Sequence, residues 1–323
     1  MNKISIVLCT FNGSKYLEEQ LDSFISQVRQ PDELIVCDDG SSDRTPEIID
    51  LFYRKAPFSV KLIVNSNKLG IAKNFESAIQ LCSGDLIALS DQDDVWYPQK
   101  IELCEHIFST NCNIGAVFSN ADVTDEALHP LNYDMWQKAA FTSREKKKVL
   151  NGMALEVLLK HYIVTGATLI FRADFKQIVL PIPRLWFHDA WIALLIASIS
   201  ELSFVNEPLM KYRQHSANQL GGVKKNALKQ IYESFQIDRT EYYDLEISRY
   251  RSAIDRLLTI PENLKLSENI ALIQKKLKHL EYRASMHKSR FLRIPAIIKE
   301  LTRLRYYRYA RNWGSIAMDL LFR

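Results

Sequence analysis

Three carboxylates lie within four residues of one another at Asp91-Gln92-Asp93-Asp94. They follow an apolar run, residues 86–90, that has the length of a buried strand. Like charges at a strand end repel one another, and partial burial makes the ionised forms still less favourable. A hard divalent cation, Mg²⁺ or Mn²⁺, would relieve this repulsion and often joins carboxylates to a phosphate-bearing substrate. The segment therefore predicts a metal site, with a solvated acidic loop as the alternative.

Polar segments follow other strand-like runs as well. The run 33–37 leads into Asp38 and Asp39, whose carboxylates can accept hydrogen bonds from a base or from ribose hydroxyls, and Gly40 then allows a tight turn. The run 4–9 leads into Thr10 and Phe11, a hydroxyl and a ring that suit the edge and the face of a nucleobase. Each segment alone is equally compatible with ordinary turn chemistry.

A third run, 60–64, precedes a turn at Gly70 and a predicted helix that carries Lys73 and Asn74. A lysine near a helix start can neutralise a diphosphate, because helix N-termini favour anions. The alternative for Lys73 is an ordinary solvated lysine.

Strand and helix periodicities alternate over the first 120 residues. The predicted strands are 4–9, 33–37, 60–64, 86–90 and 116–119, and the helices between them include 45–54, 70–82 and 98–108. Thr45 is expected to cap the helix at 45–54, with Pro46 in its first turn. This alternation predicts an α/β fold with a mainly parallel sheet, in which ligands bind beyond the carboxyl ends of the strands. Further along, we expect a strand at 163–171, helix at 186–200 and long helices over 224–280.

Composition narrows the class of protein. The chain has 323 residues and a net charge of +4, too small to argue for nucleic acid. Five cysteines without metal-ligand spacing fit a reducing compartment. The sequence runs directly into a strand pattern, and its longest apolar stretch is shorter than the roughly 20 residues of a membrane span, so we expect a soluble cytoplasmic protein.

Positive charge is concentrated near the end of the chain. Residues 287–323 contain nine Lys or Arg and two Asp or Glu. Arginines alternate there with aromatic rings, at Arg303, Arg305, Tyr306, Tyr307, Arg308, Tyr309, Arg311 and Trp313. This pattern suits an anionic membrane surface. The alternatives are a basic helix packed on the rest of the protein and, more weakly supported, RNA binding.

Together, these segments resemble the family 2 glycosyltransferases, which have the GT-A fold. The matching stretches are ISIVLCTFN at 4–12, DDGSSDRT at 38–45, NKLG at 67–70 with Asn74, SGD at 83–85 and SDQDDVW at 90–96. The resemblance covers residues 1–220. It implies a Rossmann-like GT-A domain at 1–222, with a nucleotide-sugar half at about 1–120 and an acceptor half at about 121–222. A helical region would follow at 223–323.

The resemblance also implies a role for each matched residue. Asp93 stands in the DXD motif as the direct ligand of Mn²⁺ or Mg²⁺, and Asp91 would contact the ribose or the diphosphate. The other residues implied in nucleotide-sugar binding are Thr10, Phe11, Asn12, Asp38, Asp39, Gly70, Lys73, Asn74 and Gln92.

Two later segments extend the resemblance. Asp189, in His188-Asp189, stands where the family has its general base, which takes the proton of the acceptor hydroxyl. A helix cap is the alternative for this pair. In the segment 212–218, His215 is a candidate metal ligand and Arg213 a candidate clamp on phosphate oxygens.

The same motifs, together with the basic tail, resemble bacterial rhamnosyltransferases of O-antigen or capsule assembly. This implies an inverting transfer of one L-rhamnose from dTDP-L-rhamnose to a lipid-linked saccharide acceptor. The chain lacks the QxxRW motif of processive members. A UDP-hexose or UDP-N-acetylhexosamine donor remains an alternative. Two other classes also remain, a nucleotidyltransferase and a non-catalytic scaffold that binds a membrane or a partner protein.

Overall fold

The structure is a computed structural model that describes residues 2–216, 238–261, 263–311 and 313–322. Within these residues nine strands form one sheet, in the order β3-β2-β1-β4-β8-β6-β9-β5, with β7 paired to β6. The strands are β1 (Ile4–Thr10), β2 (Glu33–Asp38), β3 (Ser59–Val64), β4 (Leu86–Ser90), β5 (Val95–Trp96), β6 (Ile114–Thr124), β7 (Pro130–Asp134), β8 (Leu169–Arg172) and β9 (Glu201–Arg213).

The parallel strands bring their carboxyl ends to one edge of the sheet. β1 pairs in parallel with both β2 and β4, and β2 pairs with β3. The register sets Thr10 beside Asp38, Asp38 beside Val64, and Leu8 beside Ser90. All four predicted polar segments therefore begin at the same edge.

The other half of the sheet mixes directions. β8 runs antiparallel between β4 and β6, whereas β9 runs parallel to β6. The short strand β5 pairs antiparallel with the end of β9, which brings the chain after β9 back beside the acidic segment. The predicted fold class, a mainly parallel sheet flanked by helices, is confirmed with these antiparallel additions.

Helices pack on both faces of the sheet because side chains alternate along each strand. On β1, Val7 joins one hydrophobic cluster, and Ile6 and Leu8 join the cluster on the opposite face. The helices of the first 200 residues are α1 (Leu17–Ile25), α2 (Thr45–Tyr53), α3 (Ile71–Leu81), α4 (Lys100–Thr110), α5 (Met135–Ala139), α6 (Ser143–Leu150), α7 (Ala154–Leu158), α8 (Lys176–Val179) and α9 (His188–Ile199). α9 is apolar on nearly all sides and is accordingly buried.

Five helices follow in the described residues, and the first two of them pack against α9. They are α10 (Arg239–Leu257), α11 (Leu264–Ala284), α12 (Ile294–Thr302), α13 (Arg305–Tyr309) and α14 (Trp313–Leu321). Asn269 on α11 donates to the Ser198 carbonyl at 2.9 Å, and Trp186 donates to the Arg249 carbonyl at 3.1 Å. The C-terminal helices are thus attached to the sheet-bearing part by hydrogen bonds as well as by apolar packing.

Several sequence expectations need correction. Thr45 does not cap α2: it is the first helical residue, and its backbone N–H and hydroxyl both donate to Asp43. The strand expected at 163–171 is shorter, because residues 166–168 form a 3₁₀ turn before β8. The expected strand at 116–119 is the middle of the longer β6.

Other expectations fall partly beyond the described residues. The long helices predicted over 224–280 are present as α10 and α11, but residues 217–237 lie outside the described ranges. In the parts of the chain that the structure describes, no helix is long and apolar enough to cross a membrane.

Candidate active site

The acidic segment lies directly after β4 and is tied to the end of β9. Asp94 is fully buried, and one of its carboxylate oxygens accepts the Arg213 backbone N–H at 3.2 Å. Its second oxygen has no hydrogen-bond partner in the described part of the chain. Burial raises the pKa of Asp94, and the neighbouring carboxylates of Asp93 and Asp91 raise it further. Asp94 therefore fixes the loop at an electrostatic cost that a nearby cation would reduce.

Asp91 connects this loop to the start of α9. Burial raises its pKa most, followed by the negative charges of Asp93 and Asp189. The charge of Asp189 therefore affects the pKa of Asp91, although 98 positions separate the two residues in the sequence. The fold thus brings the predicted acidic loop and the predicted general base, Asp189, near each other.

The two predicted metal ligands are in contact. Nε2 of His215 lies 2.7 Å from Oδ2 of Asp93, and the imidazole packs against the Tyr16 ring at 4.8 Å between centroids. His215 follows β9 directly, so the pairing of β9 with β5 brings it to the acidic loop.

Arg213 is placed differently from its predicted role as a phosphate clamp. Its guanidinium donates to the Asp93 carbonyl at 2.8 Å, to the Glu126 carbonyl at 2.5 Å and to the Glu19 carboxylate. The residue is 2% exposed. This arrangement favours a role in holding the acidic loop over direct contact with a diphosphate.

The turn after β1 is built from mutually bonded residues. The Thr10 hydroxyl donates to Asp38 at 2.7 Å, and Asp38 also accepts the Ser41 N–H and hydroxyl. Asn12, at a positive φ of 48°, accepts the Ser42 N–H at 2.9 Å. The polar side chains of this turn thus brace the β1 and β2 ends against each other.

Gln92 ties the acidic loop to the same turn. Its amide oxygen accepts the Phe11 N–H at 2.9 Å, and its amide nitrogen donates to the Phe11 carbonyl at 3.2 Å. A Cβ on Gly13 would lie 2.2 Å from Oε1 of Gln92, so only glycine leaves room for this contact. Gln92, predicted to bind the nucleotide-sugar, thus joins the Phe11 backbone to the acidic loop.

Asp39 and Asn74 organise the turn after β3. The Asp39 carboxylate accepts the backbone N–H groups of Leu69 and Gly70 at 2.7 and 2.9 Å. Gly70 has a φ of 81°, which favours glycine. Asn74 donates to the Cys37 carbonyl and accepts from Asn65, each at 2.8 Å.

Two lysines near these turns differ in placement. Lys68 lies over the Phe11 ring, with its ammonium 3.5 Å from the centroid. Lys73, the predicted diphosphate partner, is paired with Glu76 at 2.7 Å. Lys68 is therefore the cation next to the exposed ring, a residue that sequence reasoning included in a motif without giving it a role.

Asp189 sits in the first turn of α9 with both carboxylate oxygens engaged by backbone N–H groups. Oδ2 accepts from Gly166 at 2.9 Å, and Oδ1 accepts from Ala190 at 2.7 Å. The preceding His188 is buried and stacks on Phe75, with 3.7 Å between centroids. Burial lowers the pKa of His188, and its ring packs between Phe75 and the turn at Gly166 beside Asp189.

The family model for glycosyl transferase family 2 matches residues 5–179, more than half of the chain. The chain belongs to glycosyl transferase family 2. This membership supports a glycosyltransferase with a nucleotide-sugar donor over the nucleotidyltransferase and scaffold alternatives.

Relatives of this glycosyltransferase include an uncharacterised glycosyltransferase of Nostoc sp., 26% identical over 67% of this chain and 66% of the relative. The dTDP-rhamnosyl transferase RfbG of Shigella flexneri is 28% identical over 76% of this chain and 84% of the relative.

Solved structures share the fold. TarS residues 1–349 of S. aureus, in complex with UDP-GlcNAc, matches with a TM-score of 0.60 at 15% identity, over 95% of this chain and 81% of TarS. The mannosyltransferase PcManGT of Pyrobaculum calidifontis, in complex with GDP-Man and Mn²⁺, matches with a TM-score of 0.56 at 15% identity, over 99% and 85% of the two chains.

The residues of this glycosyltransferase fit a divalent ion held partly by substrate. In the described part of the chain, no three His, Cys, Asp or Glu side chains form a complete metal cluster. Mg²⁺ and Mn²⁺ sites in nucleotide enzymes commonly use only one or two protein ligands, with phosphate oxygens and water completing the shell. The Asp93 and His215 pair, beside the partnerless oxygen of Asp94, meets that requirement.

The sequence analysis missed two residues that pack around the site, Lys100 and Gly166. Lys100 is fully buried, donates to the Ala167 carbonyl at 2.5 Å and lies 3.7 Å from the Trp96 ring centroid. Gly166 leaves room for His188, since a Cβ there would lie 2.6 Å from its Nε2. Lysine is normally exposed and Gly166 lay in an expected strand, so neither carried a recognisable pattern.

Proposed function

We propose that this glycosyltransferase is metal-dependent and inverting, and that it moves one L-rhamnose per event from dTDP-L-rhamnose to a saccharide acceptor. We further propose that the acceptor is lipid-linked and that the reaction serves bacterial cell-surface polysaccharide synthesis at the cytoplasmic face of the membrane. The observation that carries the chemistry is the convergence of Asp91, Asp93 and His215 with Asp189 at one edge of the sheet.

Asp189 is the proposed general base. The N–H groups of Gly166 and Ala190 hold its carboxylate in a fixed orientation at the start of α9. The acceptor hydroxyl oxygen forms the new bond to the anomeric carbon while its proton passes to Asp189. The bond from that carbon to the diphosphate breaks, and its electron pair leaves with the nucleoside diphosphate, so configuration inverts.

Asp93 and His215 are the proposed ligands of Mn²⁺ or Mg²⁺, and Asp91 is the proposed contact to ribose or diphosphate. The bound ion would neutralise charge on the leaving diphosphate. Phe11 presents a ring that is 39% exposed, which suits stacking on a base, and Thr10, Asn12, Asp38 and Asp39 hold the surrounding turns. Because Lys73 is paired with Glu76, we assign the diphosphate chiefly to the metal side.

Support for rhamnose comes from the similarity to the Shigella flexneri dTDP-rhamnosyl transferase. Support for a single transfer comes from the absence of the QxxRW motif in the sequence. Support for a lipid-linked acceptor comes from the basic C-terminal segment, which suits an anionic membrane surface.

A thermal-shift panel tests the donor. We expect dTDP and dTDP-L-rhamnose to raise the melting temperature more than UDP or UDP-sugars do, and only with Mn²⁺ or Mg²⁺, because a ligand that binds the folded state stabilises it by mass action. Greater stabilisation by UDP-sugars would replace rhamnose by a UDP-linked hexose or N-acetylhexosamine.

A pair of variants tests the mechanism. Asp189→Asn should abolish transfer yet keep the nucleotide-induced thermal shift, since the base does not hold the donor. Asp93→Ala should lose both. Normal turnover by Asp189→Asn would remove this residue from the reaction.

A further inference from the structure

One surface of the C-terminal helices is apolar and exposed. Phe291 is 83% exposed, Leu292 61%, Ile294 43% and Ile298 53%. Single exposed apolar side chains are common on proteins, but four within eight residues form a patch of the kind that marks an interaction site. These four residues are called the apolar face below.

The apolar face lies on the outer side of one short helical segment. Residues Phe291–Arg293 form a 3₁₀ turn that continues into α12. Spacings of three and four place Phe291, Ile294 and Ile298 on one side of this segment. The opposite side, with Arg293, Ile297 and Glu300, is buried against the protein. Among the residues that the structure describes, the inner side of this segment is covered and the outer, apolar side is open to solvent.

The charges beside the apolar face have one sign. Residues 287–323 contain nine basic and two acidic residues, and both acidic residues, Glu300 and Asp319, are fully buried. Lys288, Lys299 and Arg303 are exposed next to the face. The segment therefore turns both of its negative charges inward and leaves Lys288, Lys299 and Arg303 outward, which is complementary to an anionic surface.

We propose that the apolar face inserts into the headgroup region of an anionic lipid bilayer, with Lys288, Lys299 and Arg303 at the lipid phosphates. Interfacial helices bind in this way, with apolar side chains at the boundary of the acyl chains and basic residues at its rim. The inference deepens the proposed function, on which it rests for its purpose, because a lipid-linked acceptor is held at such a surface.

This surface differs from the one that the sequence suggested. Tyr306 and Tyr309, central to the Arg and Tyr run, are 1% and 8% exposed, and Arg305 is paired with Glu300 at 3.0 Å. Those side chains hold the C-terminal helices together. The apolar face and its three basic neighbours, within the preceding residues 288–303, are exposed instead.

Vesicle co-sedimentation tests the apolar part. The wild-type protein should bind vesicles of phosphatidylcholine with phosphatidylglycerol, and Phe291→Gln/Ile298→Gln should bind at least about tenfold more weakly, because it removes two of the four exposed apolar side chains of the face. Leu258→Gln/Leu264→Gln is the matched control, since these leucines are 64% and 78% exposed elsewhere on the C-terminal helices. It should bind like the wild type.

A second pair tests the charges. Lys299→Glu/Arg303→Glu should lose the preference for phosphatidylglycerol, whereas Lys265→Glu/Lys278→Glu, which makes the same change at exposed positions on α11, should keep it. Raised salt should weaken wild-type binding in the same direction.

Equal vesicle binding by the wild type and both test variants, or no binding at all, would overturn the proposal. So would a concentration-dependent dimer in light scattering that Phe291→Gln/Ile298→Gln abolishes, since a second copy would then cover the face. Transfer to a short soluble saccharide should be unchanged in these variants. Failure of that transfer in the wild type would count against the proposed function and leave the vesicle result intact.

Discussion

Buried carboxylates lie in two clusters of polar groups, one at the active site and one in the C-terminal helices, and the clusters differ in how their charge is compensated. At the active site, Asp91, Asp93 and Asp94 stand together. The buried Lys100 beside them donates to the Ala167 carbonyl, and the guanidinium of Arg213 donates to two backbone carbonyls and to Glu19. In the C-terminal helices, Asp319 accepts hydrogen bonds from Tyr243, Tyr306 and, at 2.7 Å, Arg283.

The difference shows what each cluster is for. A fully bonded buried carboxylate with an arginine partner needs nothing from solution, and removing either partner leaves an uncompensated charge. A cluster of like charges in which burial and mutual repulsion raise the pKa of Asp91 and Asp94 is costly until a cation arrives. The C-terminal cluster is therefore expected to hold the fold, and the active-site cluster to bind.

The largest expected effect is a loss of activity when the active-site cluster is changed. Asp93→Ala should lower the turnover rate by about 10³-fold or more, equivalent to about 4 kcal/mol of transition-state stabilisation. Its unfolding free energy should stay near or above that of the wild type without metal, because one of three repelling charges is gone. Steady-state kinetics and chemical denaturation check the two halves. A strong loss of stability would show that the two clusters do the same work.

The converse effect, a loss of stability without a loss of activity, is expected at the C-terminal cluster. Asp319→Ala should lower the free energy of unfolding by about 3 kcal/mol, because it leaves Arg283 buried without its partner. Transfer measured well below the melting temperature should change little. Urea denaturation followed by circular dichroism gives the first number. A loss of donor binding in folded Asp319→Ala would contradict this division.

A pH effect should separate the regions further. Burial lowers the pKa of His279 to about 4, although its hydrogen bond to Glu300 opposes this. In the unfolded chain His279 is protonated below about pH 6.5, whereas in the folded chain it stays neutral until about pH 4. The free energy of unfolding is therefore highest above pH 6.5 and falls as the pH drops from there towards 4. The loss of unfolding free energy should reach about 3 kcal/mol near pH 4. His279→Gln should flatten melting temperature against pH over this window; an unchanged slope would exclude His279 as the source.

The smallest effect is expected at Lys73. Because its ammonium is paired with Glu76, Lys73→Ala should raise the KM for the donor by less than about fivefold, within the range of about 1 kcal/mol typical of a solvent-accessible ion pair. Lys68→Ala, which removes the cation over the Phe11 ring, is the comparison and should have the larger effect on KM. The reverse order would restore Lys73 to the diphosphate.

The sequence predicted the sheet and the edge at which the site lies because period and turn chemistry are local properties. It could not predict that Asp39 would bond to Leu69 and Gly70, or that Gln92 would bond to the Phe11 backbone, since those partners are set by strand order. Arg213 shows the same limit. Its residue type suits a phosphate, but the direction of β9 aims it at backbone carbonyls.

The tail shows a second limit. Alternating Arg and Tyr indicated a surface function, yet burial depends on which side of a helix meets the protein, and Tyr306 and Tyr309 face inward. The exposed apolar face, which begins at Phe291, stands out only once the packing of α12 is known.

Gln92 accepts the Phe11 N–H and donates to the Phe11 carbonyl, which joins the Phe11 backbone to the acidic loop at two points. If Phe11 binds the base and Asp93 the metal ion, as proposed, a change in the Phe11 backbone would be passed to the residue next to Asp93. Substitutions that alter nucleotide preference would then be expected to alter metal affinity as well.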